Sequence, residues 1–295
     1  MPQFTRRQFI GAATAGSAAL MTGCSMFRAA APPKKPLIGV QLYSVRYVFA
    51  NDVPGTLAGI KNIGYDAVEF AGYATYANNA AGLRKILDDN GLIACGTHMP
   101  GGLQGVTPEN FDKTVEFNQI LGNQKLIVAS LANTATADDW ARNADTFSAI
   151  AEKLKPHHMR IGYHNHVAEF KPIAGPGSPM PEDIFFGKAS PDVFVELDIG
   201  HCAHAGADPV AALKKYAGRV LSVHVKDWVP ATGGDIIGEG IVKWPEVLDA
   251  CDHHGGAVQW YIVEEESGKF PILTGIEKDF QNLQQLFATH KFPPA

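Results

Sequence analysis

The stretch VFVELDIGHCAHAGADPVAALKKYAGRVLSVHVKD, residues 193–227, decides the fold. Its two ends, Val193–Gly200 and Val220–Asp227, are short runs rich in β-branched and apolar residues, which read as strands. Between them Pro209–Tyr216 reads as a helix, with Gly218 free to take the positive φ of a helix end. A strand, a helix and a second strand make a parallel βαβ unit. In the second strand Val223 and Val225 point one way while Ser222, His224 and Lys226 point the other; in the first, Glu196 and Asp198 oppose Val195, Leu197 and Ile199. A strand of a parallel sheet is buried on both faces, so ionisable groups near its C-terminal end are costly unless they are paired or used.

Working outward, the same unit recurs along the chain. Strands are expected at LIGVQLY, DAVEFA, LIACGTH, KLIVAS, MRIGYHNH, VFVELDIG, VLSVHVKD and WYIVEE. Helices are expected over Val53–Asn62, Ala80–Asn90, Pro108–Leu121, Ala137–Lys155, Pro181–Phe186, Pro209–Tyr216, Trp244–His253 and Ile276–Thr289. Strict alternation over eight units predicts an α/β fold, a single (β/α)8 TIM barrel over residues 37–295, with an open doubly wound sheet as the alternative. Alternation also turns Glu69 away from Val68 and Phe70, places His98 on a face with Ala94 and Gly96, and sets His164 and His166 opposite Ile161 and Tyr163. WYIV is apolar on both faces, so alternation does not separate Glu264 from Glu265.

The chain has 295 residues, 46% hydrophobic and 19% charged, which excludes a disordered or coiled-coil composition. A net charge of -5 gives no general attraction for nucleic acid, and no nucleic-acid partner is expected. Residues 1–31 read as a targeting segment: Arg6 and Arg7 precede an acid-free Gly/Ala-rich run, as in a twin-arginine export signal. Cys24 follows Met21, Thr22 and Gly23, resembling a lipoprotein processing site, so a lipid anchor at Cys24 and a periplasmic or exported location are expected. Residues 32–36 form a Pro/Lys tether. The other thiols, Cys95, Cys202 and Cys251, show neither metal spacing nor a disulfide framework and read as buried thiols.

From about Leu37 onward the chain resembles the xylose isomerase-like barrel superfamily of sugar phosphate isomerases/epimerases. The resemblance rests on YHNHVAEF, LDIGHCAHAG, SVHVKDW, IIGEGIVKW and YIVEEES. It implies one divalent metal on ligands from four consecutive strands, carried over here to Asp198, His224 and Glu264, with His164 where the family has a glutamate. Two imidazoles and two carboxylates suit manganese, cobalt, iron or zinc better than magnesium. In Asp198 and His201 the family's Asp-x-x-His spacing has the aspartate on the metal and the histidine holding substrate.

The implied chemistry is removal of a proton beside a carbonyl, with the resulting enediolate stabilised electrostatically. His166, Lys226 and Glu264 are the expected catalytic groups, and Glu69, His98, Glu169 and His201 the expected substrate contacts. The leading expectation is an exported metal-dependent sugar isomerase or epimerase acting on a small unphosphorylated sugar or glycoside. The rival is a 3-keto-glycoside lyase, which needs no second base on the opposite face and is favoured by the glutamate lost at position 164. A third reading is an inactive sugar-binding protein. Endonuclease-like DNA cleavage is disfavoured because PATGGDIIGEG offers Asp235 but no histidine.

Overall fold

The computed structural model describes residues 36–255, 258–271 and 273–292. The expected export segment with Arg6, Arg7 and Cys24, and the tether before Pro36, lie outside the described residues. Eight strands run β1 Leu37–Gln41, β2 Ala67–Phe70, β3 Ile93–His98, β4 Lys125–Val128, β5 Arg160–His164, β6 Phe194–Asp198, β7 Val220–Val225 and β8 Trp260–Val263. All pair in parallel in sequence order, and β8 closes on β1. This is the expected TIM barrel.

The α-helices around it are α1 Arg46–Asn51, α2 Val53–Ile63, α3 Ala80–Asn90, α4 Phe111–Leu121, α5 Ala137–Leu154, α6 Pro181–Lys188, α7 Ile199–His204, α8 Pro209–Lys215, α9 Trp244–Ala250 and α10 Thr274–Thr289. Helix α4 begins at Phe111, later than the expected Pro108, and α9 gives way to a wider π turn over Cys251–Gly255. The outward faces of the strands, including Val40, Val68, Leu126, Ile161, Leu197 and Val223, pack with Leu57, Leu83, Phe147, Leu213 and Leu283 of the helices into one continuous core. Burial of a large apolar side chain is worth about 1.5–3 kcal/mol, so this layer is the main stabilising element.

Two register slips change what strict alternation implies. Between β2 and β3, Val68 pairs with Ala94 but Glu69 pairs with Gly96. The extra residue, Cys95, joins Ala67, Trp260 and Ile262 in a cluster inside the barrel, while Ala94 packs in the outer core rather than sharing the face of His98. Between β6 and β7 the slip leaves Leu221 extra, and it packs inside with Phe194 and Ile127. Both slips belong to the register that closes the barrel. Cys95, Cys202 and Cys251 are buried and free, as expected.

Candidate metal centre

Strand β6 stops at Asp198, two residues before the expected Gly200, because the Asp198 carboxylate caps α7: Oδ1 accepts the His201 backbone N–H at 2.7 Å. The backbone of Asp198 is clamped as well, its N–H donating to Asn165 Oδ1 at 2.9 Å. Gly200 is required by a close approach, since a Cβ there would lie 2.6 Å from Lys226 Cγ and 2.8 Å from the Lys226 carbonyl oxygen. These contacts lock the carboxylate and leave Asp198 Oδ2 buried without a hydrogen-bond partner.

That orphaned oxygen faces three further ligand-type groups. His164 ends β5, His224 lies in β7 and Glu264 follows β8; one ligand atom from each, with one from Asp198, all lie within 4.8 Å of one another. His224 Nδ1 is 3.0 Å from Glu264 Oε2 and 4.0 Å from Asp198 Oδ2. A buried anionic oxygen without a partner is costly, and a cation among these four groups removes the cost. The donor set of two imidazoles and two carboxylates, all buried, therefore fits a divalent transition metal.

Beneath the cluster lies a second acidic layer. Glu196 Oε1 accepts the Ser222 hydroxyl at 2.6 Å, and Oε2 lies 2.7 Å from His98 Nε2, 3.3 Å from His224 Nε2 and 3.4 Å from His164 Nδ1. Glu69 Oε1 accepts Gln41 Nε2 at 2.7 Å and lies 2.8 Å from His224 Nε2. Its other oxygen occupies space that a side chain on Gly96 would take, the nearest approach being 2.4 Å. Burial alone would raise the Glu196 carboxyl, but the surrounding His224, His164 and His98 outweigh it and hold Glu196 well below the usual carboxylate range. Burial would lower His98 and His224, yet Glu69 and Glu196 carry His98 up to about 10, and Glu196 with Glu264 raises His224. His164, buried and beside His224, is driven down to about 3.

Above the cluster, the Lys226 ammonium lies 2.9 Å from Glu264 and 3.5 Å from Asp198 and also pairs with Glu266. Burial would lower its pKa, but Glu264 and Asp198 raise it, so it is an ammonium at neutral pH. His166 and His201 stand together with ring centroids 5.0 Å apart. Burial and the neighbouring His201 lower His166, whereas Asp198 and Glu266 outweigh burial and raise His201. Glu169 holds the loop of His166, accepting its backbone N–H at 2.9 Å and the Tyr163 hydroxyl at 2.6 Å.

The structure thus brings His98, His164, His166, Asp198, His201, His224, Lys226 and Glu264 to one mouth. Two expected substrate contacts sit elsewhere. Glu69 is fully buried under the histidines, and Glu169 is spent on Tyr163 and the His166 backbone, so both are corrected to supporting positions. Glu265 turns aside, its Oε1 accepting the Ser267 hydroxyl while its backbone N–H donates to Ser44 Oγ at 3.0 Å, leaving Glu264 on the site. The sequence reading assigned no role to Glu196, Glu266 or Asp227; inward alternation was the available signal for Glu196. Asp227 staples the IIGEGIVKW segment to β7, accepting from Gly238 N, Val242 N and Trp244 Nε1 at 2.9, 3.1 and 2.8 Å.

A sequence model of the family described as xylose isomerase-like TIM barrel matches residues 57–286. Inosose dehydratase of Glaesserella parasuis is 25% identical over 235 residues, 65% of this chain and 75% of that protein. L-ribulose 3-epimerase of Mesorhizobium japonicum is 24% identical over 230 residues, 70% of this chain and 73% of its own length. A crystal structure of a sugar phosphate isomerase/epimerase from Parabacteroides distasonis superimposes with a TM-score of 0.72 at 25% identity, covering 85% of this chain and 94% of that one. Related proteins are therefore sugar-modifying enzymes, named as epimerases, isomerases or dehydratases. With a closed eight-stranded barrel and a family match that spans most of it, this chain belongs to the xylose isomerase-like TIM barrel family.

Proposed function

We propose that the protein is a metal-dependent lyase that eliminates a β-oxygen substituent from a keto sugar or keto-glycoside. The carrying observation is the His166–His201 pair: two imidazoles 5.0 Å apart whose environments push their pKa values in opposite directions. His166, kept neutral, accepts the proton from the carbon beside the carbonyl. The C–O bond one carbon further on breaks with its electron pair passing to oxygen, and protonated His201 supplies that oxygen with a proton. The products are an unsaturated ketone and an alcohol or water. His164, Asp198, His224 and Glu264 would hold a divalent ion, which would supply Lewis acidity for the carbonyl oxygen. Lys226, paired with Glu264 and Glu266, orients those carboxylates in this reading. His98, partly exposed beside the cluster, is the remaining contact for a substrate hydroxyl.

Epimerisation, supported by the relative named L-ribulose 3-epimerase, is the second reading and needs acid and base on opposite faces of the sugar. Here the fifth strand presents His164, and the carboxylates of Glu69 and Glu196 are fully buried. Metal-loaded protein incubated in D2O with keto-glycosides and free ketoses decides between the two. Elimination releases the leaving group and a conjugated enone with ultraviolet absorbance. A product that retains every oxygen and carries deuterium beside the carbonyl establishes the epimerase instead.

The same proposal places the enzyme outside the cytoplasm, supported by Arg6 and Arg7 ahead of the Gly/Ala-rich run and by Cys24. Replacing both arginines by lysine is expected to hold precursor in the cytoplasm, and the mass of the processed N-terminus reports lipid on Cys24.

A further inference from the structure

Two overlapping groups in the barrel have the spacing to hold a metal: His164, Asp198, His224 and Glu264 above, and His98, His164, Glu196 and His224 below. They share two histidines. We infer that a single ion sits in the upper group and that Glu196 is a positioning residue, which fixes the protons of His164 and His224 so that His164 ligates through Nε2 and His224 through Nδ1. This rests on the metal-site reading above.

A neutral imidazole carries one lone pair and one N–H, so a ring that ligates through one nitrogen holds its proton on the other. Filling both groups at once would require both shared rings to lose both protons. One side must hold protons and the other lone pairs. Below, carboxylate oxygens stand beside the ring nitrogens: Glu69 Oε1 is 2.8 Å from His224 Nε2, and Glu196 Oε2 is 3.3 Å from His224 Nε2 and 3.4 Å from His164 Nδ1, a buried nitrogen with no hydrogen-bond partner among the described residues. Glu196 is itself oriented by the Ser222 hydroxyl at 2.6 Å, so its second oxygen is aimed at the rings. Ionised carboxylates are acceptors only, and they draw N–H groups toward themselves. Above, Asp198 Oδ2 accepts no hydrogen bond, with the Lys226 ammonium 3.5 Å away, and Glu264 Oε2 lies 3.0 Å from His224 Nδ1. An ion bound by Asp198 and Glu264 takes the place of an N–H on the upper side, so the protons lie below and the lone pairs above. A carboxylate behind a ligating histidine both fixes its tautomer and raises its basicity.

Long-range 1H–15N correlation spectra of the zinc-loaded wild-type protein read the tautomers directly. The expected result is a proton on Nδ1 of His164 and on Nε2 of His224, with one zinc per chain. Glu196→Gln is expected to keep one zinc per chain, to weaken its affinity by roughly tenfold to a hundredfold, and to lose the single tautomer of His164. His98→Gln is expected to retain one zinc per chain, whereas zinc lost in His98→Gln but kept in Asp198→Asn places the ion below and overturns the inference. If the wild type binds no zinc, manganese, cobalt or iron, the metal-site reading fails. The same spectra of that metal-free protein still judge Glu196, because His164 protonated on Nε2 contradicts its positioning role.

Discussion

At the floor of the barrel the strands turn Ala67, Cys95, Trp260 and Ile262 toward one another, with Ile127, Phe194 and Leu221 beside them. Two residues further along the same faces, Ala67 gives way to Glu69, Phe194 to Glu196 and Ile262 to Glu264. The interior changes from apolar packing to a stack of carboxylates and imidazoles across one layer of side chains. The floor lowers the free energy by burial. The mouth raises it unless every ionised group finds an opposite charge or an ion. The comparison teaches that stability and chemistry occupy different heights of one barrel, as is usual for this architecture. Substitutions at the two levels should therefore separate by whether they disturb metal binding.

The largest effect is expected at the mouth. Asp198→Asn with Glu264→Gln removes both anionic members of the upper group, and metal affinity should fall by more than the roughly hundredfold that loss of an outer partner costs. Thermal stability without metal should fall as well, because buried Lys226 and His224 lose the carboxylates that pair with them. Mass spectrometry under native conditions and thermal melts check both halves. Full metal content in the double variant would falsify the ligand assignment.

At the floor, stability should fall while metal binding holds. Phe194 is fully buried, and its ring fills the space left by Gly162, where a Cβ would lie 2.4 Å from it. Phe194→Ala is expected to cost about 3–5 kcal/mol in denaturant unfolding while leaving metal stoichiometry at one per chain. If stoichiometry falls with stability, the two levels are coupled more tightly than their separation in height implies.

These two levels were unequally legible in the sequence. Alternation alone sorted His98, Glu69, His164, Glu196, Asp198 and His224 onto inward faces, because the side-chain period of a strand is fixed at two. It reports a face and says nothing of height. Strand tilt and register set the height, so Glu69 and Glu264 read alike although one lies under the histidines and the other closes the upper group. The slips at Cys95 and Leu221 were invisible for the same reason. The early end of β6 was in principle readable, since Asp198 followed three residues later by His201 has the spacing of a helix cap. Glu264 and Glu265 were inseparable because both faces of β8 are apolar until the chain leaves the barrel.

Between the two levels lies His98, whose charge answers to Glu69 and Glu196. Its pKa is raised from 6.5 to about 10 in the folded metal-free protein. A base raised on folding contributes stability that is fully present below its unfolded pKa and is lost as the pH rises through its folded one. His98→Gln should therefore destabilise the metal-free protein by about 1–3 kcal/mol at pH 6, the cost of leaving a buried acceptor short of a donor. The gap to wild type should narrow steadily above pH 7 and close beyond pH 10. A gap that is flat from pH 6 to 10 would show that His98 matters by packing and not by charge.

The smallest effect, and the sharpest test of the boundary, belongs to Ser222. It pairs in register with Trp260 of the floor and with Glu196 of the acidic layer, so it touches both levels. Its hydroxyl donates to Glu196 Oε1 at 2.6 Å. Ser222→Ala removes that donor without changing the apolar packing below, and should cost about 1 kcal/mol of stability, the usual net worth of one hydrogen bond. The consequence for the mouth follows from geometry: released from Ser222, the carboxylate can turn, and its other oxygen loses its aim at His164 and His224. Metal affinity should then weaken by a few-fold, less than in Glu196→Gln, because the charge is still present. Titration with a competing chelator measures it. An unchanged affinity alongside the lost stability would assign Ser222 to the floor alone, and would mean that Glu196 is held in place by the histidines it faces.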